Sequence, residues 1–294
     1  HNRHSRSHFF VKNNPTTGTN IRPTKEAFTE TNRMDFQTYL NWKKTFAEDH
    51  NIDVVAGYDY MKDKNNSIDA RVQGAASDKI PTLNVGTSNI TNYPTSTRTD
   101  EVLISYFGRV NYAYKNRYLF EANLRADGSS RFGSNNRYGI FPSFSAGWKI
   151  HEERFMEGTE DWLSNLKLRA SWGKAGNNQG IGNYAWQAVY ATQNVVVDGS
   201  GSKGLYISSL SNADLKWETT ATTDIGLDMG FFDNRLTAEI DYYRKNTTDI
   251  LYTPTIYMTM GEVSGVPSNL GSVVNKGVEL ALNWKSRIGK DFSY

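Results

Sequence analysis

Polar and apolar side chains alternate along most of this chain with a period of two, the mark of strands whose two faces meet different surroundings. From Phe36 one face reads Phe36, Leu40, Trp42 and Phe46, interrupted by Thr38 and Lys44, against Gln37, Asn41, Lys43 and Thr45. After a turn near Glu48–Asn51 the pattern resumes as Ile52, Val54, Ala56, Tyr58 and Tyr60, which predicts a hairpin. The cleanest alternation runs Val102, Ile104, Tyr106, Val110, Tyr112 and Tyr114, turns at Lys115–Arg117, and returns as Tyr118, Phe120, Ala122 and Leu124 opposite Glu121, Asn123 and Arg125. Further strands are predicted over Ile140–Ile150, Leu166–Trp172, Trp217–Phe231, Leu236–Tyr242 and Val278–Trp284, with another beginning at Phe292. Pro142 weighs slightly against the first of these, because proline cannot donate to a ladder.

The connections alternate in length. Short ones fall at Ala47–Asn51, Lys115–Arg117, His151–Asn165, Phe232–Arg235 and Ile288–Asp291; long ones, rich in Asn, Gly, Ser and Thr, at Asp63–Asp100, Gly128–Arg137, Ala175–Asp214 and Asn246–Lys276. The opening segment through Arg33 reads as another long loop. One short-turn rim and one long-loop rim are what an antiparallel up-and-down barrel produces. A sandwich does not predict this.

Alternation alone leaves open which face is outside, and composition decides it. Aromatic residues make up 13% of the 294 residues while the whole apolar class reaches only 38%, so the apolar positions are too thin for a continuous soluble core and too aromatic for a disordered chain. About ten strands of roughly ten residues match the span of a tilted strand across a bilayer. Tyr112, Tyr114, Tyr118, Trp148, Trp172, Trp217, Tyr242 and Trp284 gather near strand ends, where interfacial girdles belong. The expectation is therefore all-β: an antiparallel transmembrane β-barrel whose apolar face meets lipid and whose polar face lines water. Helical spans are excluded, since the best uncharged stretch, Ala175–Val197, is broken by seven Asn and Gln residues. With 33 basic against 31 acidic side chains, a net charge of +2 offers no bias towards nucleic acid, and the lack of cysteine excludes disulfides and thiolate metal sites.

Candidate chemistry is sparse. His1, His4 and His8 lack other ligands and read as a solvated loop rather than a metal site. GxSxG, HExxH and Walker A motifs do not occur, so no catalytic residue, metal or cofactor is expected. Asp224 with Asp228, and Glu239 with Asp241, fall on the polar face and read as lining rather than as a glycosidase pair. Arg125, Asp127 and Arg131 read as structural, pairing across strands or holding a loop tip. Substrate contacts are open; the candidates are the long-loop aromatics Tyr93, Trp186, Tyr190, Tyr206, Tyr252 and Tyr257, which could equally pack between loops.

Several segments, in order, resemble a known family: YFGRVNYAYKNRYLFEANLRADGSSRFG (Tyr106–Gly133), GIFPSFSAGWKI followed by ERF (Gly139–Phe155), LKLRASWGKAGNNQGIGNY (Leu166–Tyr184), LKWETTATTDIGLDMGFFDNRLTAEIDYYRKNTTDIL (Leu215–Leu251) and NKGVELALNW (Asn275–Trp284). These are similar to the barrel of SusC/RagA-type TonB-linked outer-membrane proteins of Bacteroidetes. The resemblance implies a 22-stranded barrel with an internal plug. It also implies nutrient import, of glycans or oligopeptides, with a SusD-like surface lipoprotein as lid and the TonB–ExbB–ExbD complex as energy source. The chain, with about ten strands, no plug and no initiator Met, is then expected to be a fragment: residues 1–35 an extracellular loop segment, residues 36–294 a partial barrel. The competing classes are a passive porin or adhesin-like barrel, and a soluble secreted β-sandwich that binds a ligand.

Overall fold

The computed structural model describes residues 2–10, 24–74, 79, 82–85, 94–255, 265–288 and 292–294. Strands β1 (Asn2–Phe10), β2 (Thr24–Phe46), β3 (His50–Val72), β4 (Thr95–Tyr114), β5 (Tyr118–Ser129), β6 (Tyr138–Lys149), β7 (Leu163–Asn177), β10 (Glu218–Phe231), β11 (Leu236–Thr248) and β14 (Ser272–Trp284) form one ten-stranded sheet in that order. Three two-stranded ribbons accompany it: β8 (Val189–Val197) with β9 (Ser200–Ser209), β12 (Leu251–Tyr252) with β13 (Ser268–Asn269), and β15 (Arg287–Ile288) with β16 (Phe292–Ser293). Each neighbour in the sheet is the next strand of the meander, the topology that the alternating connections predict. Among the described residues no helix is long and apolar enough to cross a membrane.

The chain divides into two units, residues 1–36 with 60–103, and residues 37–59 with 104–294. In the first, β1 pairs antiparallel with β2 from Asn2↔Asn32 to Phe10↔Thr24. Ion pairs Arg33–Asp63 and Lys25–Asp69, both at 2.5 Å, tie β2 to β3, and Thr31 Oγ1 donates to Asn65 Oδ1 at 3.1 Å. This corrects the expected loops: residues 2–10 and 24–33 are strand, and β3 and β4 run well into the segment 63–100. At 23 residues, β2 has more than twice the length needed to cross a bilayer. Once a sheet has water on both faces, hydrophobic alternation fades although the backbone continues to pair, so periodicity underestimates such strands.

In the second unit the registers assemble a continuous apolar band. Tyr118 lies opposite Trp148, Phe144 opposite Trp172, Leu168 opposite both Trp148 and Leu227, Ile240 opposite both Leu227 and Leu280, and Leu236 opposite Trp284. This face is bare: Leu40 is 80% exposed, Val278 70%, Ile140 65% and Leu280 63%. A second layer that would bury it does not exist among the described residues. Glu121, Asn123, Arg169, Asp224, Asp228, Glu239 and Asp241 project from the opposite face.

Turn chemistry follows the sequence closely. The hairpins at Ala47–Glu48 and Lys115–Asn116 carry two successive residues with positive φ, as tight hairpin turns require. Asp198–Gly199, with φ of 53° and 75°, closes the β8–β9 ribbon inside the expected loop 175–214. The Asp-Gly pair is a legible hairpin signal that periodicity passes over. The segment after β6 is not a plain turn either: 3₁₀ turns occupy Ile150–Glu152 and Arg154–Thr159. Pro142 sits within β6 opposite Leu124, and the β6–β7 ladder stops one residue away at Ser143↔Gly173. Proline is tolerated where the second ladder has already ended.

Candidate functional site

The polar wall is organised around Arg169. Its register partner on β10 is Gly226, whose own partner on β11 is Asp241, so the three residues form one row across three strands. A side chain on Gly226 would collide with Arg169 and Asp241, and its absence lets the guanidinium cross the intervening strand. Arg169 Nε donates to Asp228 at 2.8 Å, one terminal nitrogen to Asp241 at 2.7 Å and the other to Asp224 at 3.3 Å. The carboxylates weighed as a catalytic pair are thus committed to one cation, and Glu239 stands outside the cluster. The charge is shared within the wall, as a water-lined face needs.

Towards the long-loop rim the wall gives way to a small dry core of Phe132, Phe141, Ile181, Leu215, Trp217 and Leu251, each at most 8% exposed. Trp217 is packed by Phe132 at 5.0 Å and edge-on by Phe141 at 5.4 Å, and its indole N–H donates to Arg137 O at 3.0 Å. This corrects its assignment to an interfacial girdle: it precedes β10 and is enclosed by loop residues together with Phe141 of β6. Arg131 donates to the carbonyls of Asn178 and Ile181 at 3.0 and 3.1 Å, and Asn178 donates to Ser129 Oγ at 3.1 Å. Arg125 joins Asp127 at 2.7 Å and Ser105 on β4 at 2.7 Å. The RADGSSRFG segment therefore does both structural tasks that the sequence suggests.

Asparagine amides stitch the loops to one another. Asn136 donates to Asp214 O at 3.0 Å, Asn212 to Pro267 O at 2.8 Å, and Asn269 to Lys216 O at 2.7 Å and Asp249 O at 2.9 Å, while Lys216 N–H donates back to Asn269 at 2.9 Å. Loops usually carry backbone groups that only water can satisfy. Here a side-chain amide, with both a donor and an acceptor, satisfies them across loops. No local signal marks these contacts, because the partners lie 20 to 78 residues away.

At the short-turn rim, rings follow one another from His50 to Tyr114 (4.8 Å), Tyr118 (6.1 Å) and Trp148 (6.4 Å). Glu153, in the turn beyond β6, accepts from the Tyr118 hydroxyl at 2.5 Å, the Trp148 indole at 3.0 Å and Arg117 at 2.8 Å. The Tyr118 hydroxyl first, then the indole and the guanidinium, hold the Glu153 carboxyl below the usual carboxylate range.

Of the aromatics named as substrate candidates, Tyr190 on β8 and Tyr252 on β12 are exposed, Tyr206 on β9 is half-buried, and Trp186 lies beside Gly133 in the rim. Tyr93 and Tyr257 lie outside the described residues. The structure brings no group of three or more His, Asp, Glu or Cys into metal-binding proximity among the described residues.

Comparison with known proteins gives one answer. A family model described as "TonB dependent receptor-like, beta-barrel" matches residues 1–294. The TonB-dependent receptor SusC of Bacteroides thetaiotaomicron is 41% identical over 204 residues, 68% of this chain and 20% of that protein. TonB-dependent receptor P3 of Formosa agariphila is 34% identical over 261 residues, 88% of this chain and 25% of that protein. The solved RagAB peptide transporter superposes with a TM-score of 0.87 at 32% identity, covering 99% of this chain and 32% of the other. The chain therefore spans between a fifth and a third of the length of these relatives. The apolar band and the register that builds it are those of an outer-membrane wall, and the chain belongs to the TonB-dependent receptor β-barrel family, with SusC and RagA among its relatives.

Proposed function

We propose that this chain is part of the barrel of a TonB-dependent importer that carries glycans or oligopeptides across the outer membrane. The observation that supports it best is the uncovered apolar face, from Leu40 through Ile140 to Val278 and Leu280, set against a wall of paired charges. Such a face is stable only where hydrocarbon replaces water. In this reading residues 36–294 supply barrel wall and residues 1–35 project outside the cell. A SusD-like lipoprotein caps the long-loop rim, and the TonB–ExbB–ExbD complex acts through a plug elsewhere in the protein. Cargo first meets the loop aromatics Trp186, Tyr190, Tyr206 and Tyr252, and also Tyr93 and Tyr257. The barrel orients and conducts; it makes and breaks no bonds. Deleting the gene, or removing TonB, should abolish uptake of the cargo by intact cells. Uptake that persists without TonB, or steady ion conductance through the purified protein, would make it a passive porin instead.

A further inference from the structure

A cleft of about 560 Å³ lies on the polar face where β2 to β5 run side by side, lined among others by Gln37, Tyr39, Asn41, Phe107, Arg109 and Asn123. Phe107 and Arg109 stand six to eight residues before the Lys115–Arg117 turn, roughly 20 to 25 Å up the wall at the rise of a strand. The Phe107 ring rests against Gly57, where a Cβ would strike the ring, and the Arg125 guanidinium sits 5.8 Å from its centroid, so the ring is held against the sheet. Tyr39 is 62% exposed beside it. The lining contains two cations, Arg109 and Arg125, and no carboxylate. Arg125 is engaged by Asp127 and Ser105, whereas Arg109 makes no hydrogen bond or ion pair among the described residues.

We infer that this cleft binds an anionic oligosaccharide during passage, with Tyr39 stacking on a sugar ring beside the fixed Phe107, Gln37 and Asn41 bonding hydroxyls, and Arg109 pairing with a carboxylate or sulfate. The inference rests on the import reading and names its cargo. Aromatic faces flanked by amides fit the alternating C–H and O–H surfaces of a sugar. A guanidinium without a partner among the described residues is a fork-shaped site for an oxyanion. A peptide commonly binds a sheet by adding a strand at a free edge, and β2 to β5 are all paired on both sides.

The test uses the intact transporter with its lipoprotein, purified in detergent, and titration calorimetry with four probes: tetragalacturonate, a sulfated carrageenan tetrasaccharide, maltotetraose and tetra-aspartate. At least one anionic sugar should bind about tenfold or more tightly than maltotetraose, and which one separates carboxylate from sulfate. Arg109→Gln should weaken that binding by about tenfold or more, the scale of a lost charge-assisted hydrogen bond. Arg109→Lys should restore part of it, and Tyr39→Ala should weaken it without changing its salt dependence. Heat-modifiable gel mobility checks that each variant is folded. Failure of both anionic sugars to bind, unchanged affinity in Arg109→Gln, or equal Arg109-dependent binding of tetra-aspartate would overturn the assignment. Uptake assays keep the two readings apart. TonB-dependent uptake with an indifferent Arg109 removes the site and leaves import standing, whereas absence of TonB-dependent uptake of any cargo removes import itself.

Discussion

The membrane wall and the long-loop rim adjoin along the chain, one in the strands and the other mostly in the loops between them, and are held together differently. In the wall, Ile240, Leu280 and Val278 have neighbours only within their own layer, and their burial is left to lipid. In the rim, Trp217, Phe132 and Leu215 are enclosed by protein, and Arg131, Asn136, Asn178, Asn212 and Asn269 tie the enclosing loops together. The difference teaches that a barrel lacks a hydrophobic core where solvent does that work, and builds one as soon as the chain emerges into water.

The strongest way to break this comparison is to remove the rim's core. Trp217→Ala in the full-length protein should cost about 3 to 5 kcal/mol, the range for deleting a buried aromatic. It should expose the segments around Asn178 and Asn212 to limited proteolysis while leaving the strands protected. If the strands lose protection together with the loops, rim and wall are one cooperative unit and the distinction fails.

The wall is probed next by charge. Val110→Arg, on the bare face, should cost about 2 to 4 kcal/mol near the bilayer midplane in folding titrations into lipid vesicles. Leu227→Arg should follow, whereas Thr222→Arg on the polar face should be mild. Equal costs on the two faces would count against lipid on the apolar face. Replacing Arg169 by Met should cost about 1 to 3 kcal/mol, since three carboxylates lose a shared donor. Gly226→Val should reproduce much of that loss by blocking the guanidinium's route to Asp241, which is measurable in the same titrations.

The smallest expected effect is at Glu153. Its donors hold the folded carboxyl below the ordinary glutamate value of about 4.3, so its contribution is present above that value and is lost as the pH falls through the lowered one. Glu153→Gln should remove this acid-range dependence from an unfolding series and leave the neutral-pH cargo affinity unaltered. A wild-type and variant pair with identical acid profiles would show that the clasp does not titrate.

Much of the wall was legible because a bilayer-spanning strand leaves a clear record. Tyr118, Phe120, Ala122 and Leu124 against Glu121, Asn123 and Arg125 give strand, register face and turn from local spacing alone. The upper parts of β2, β3 and β4 were less legible because polar surroundings on both faces erase alternation. The rim was not legible. Nothing near Asn212 in sequence announces that its amide will meet Pro267 O, 55 residues on. Trp217 likewise continues an alternating pattern that, read locally, places it on lipid.

By itself the sequence determined the period, the faces, the hairpins and the family, since each depends on residues a few positions apart or on segments repeated in order. Only the tertiary structure decided which carboxylates share Arg169, which loops are tied together, where Trp217 is buried, and that Arg109 stands in a cleft without a partner among the described residues. Those outcomes depend on strand register and loop meeting points, which bring together side chains whose separation along the chain carries no local signal.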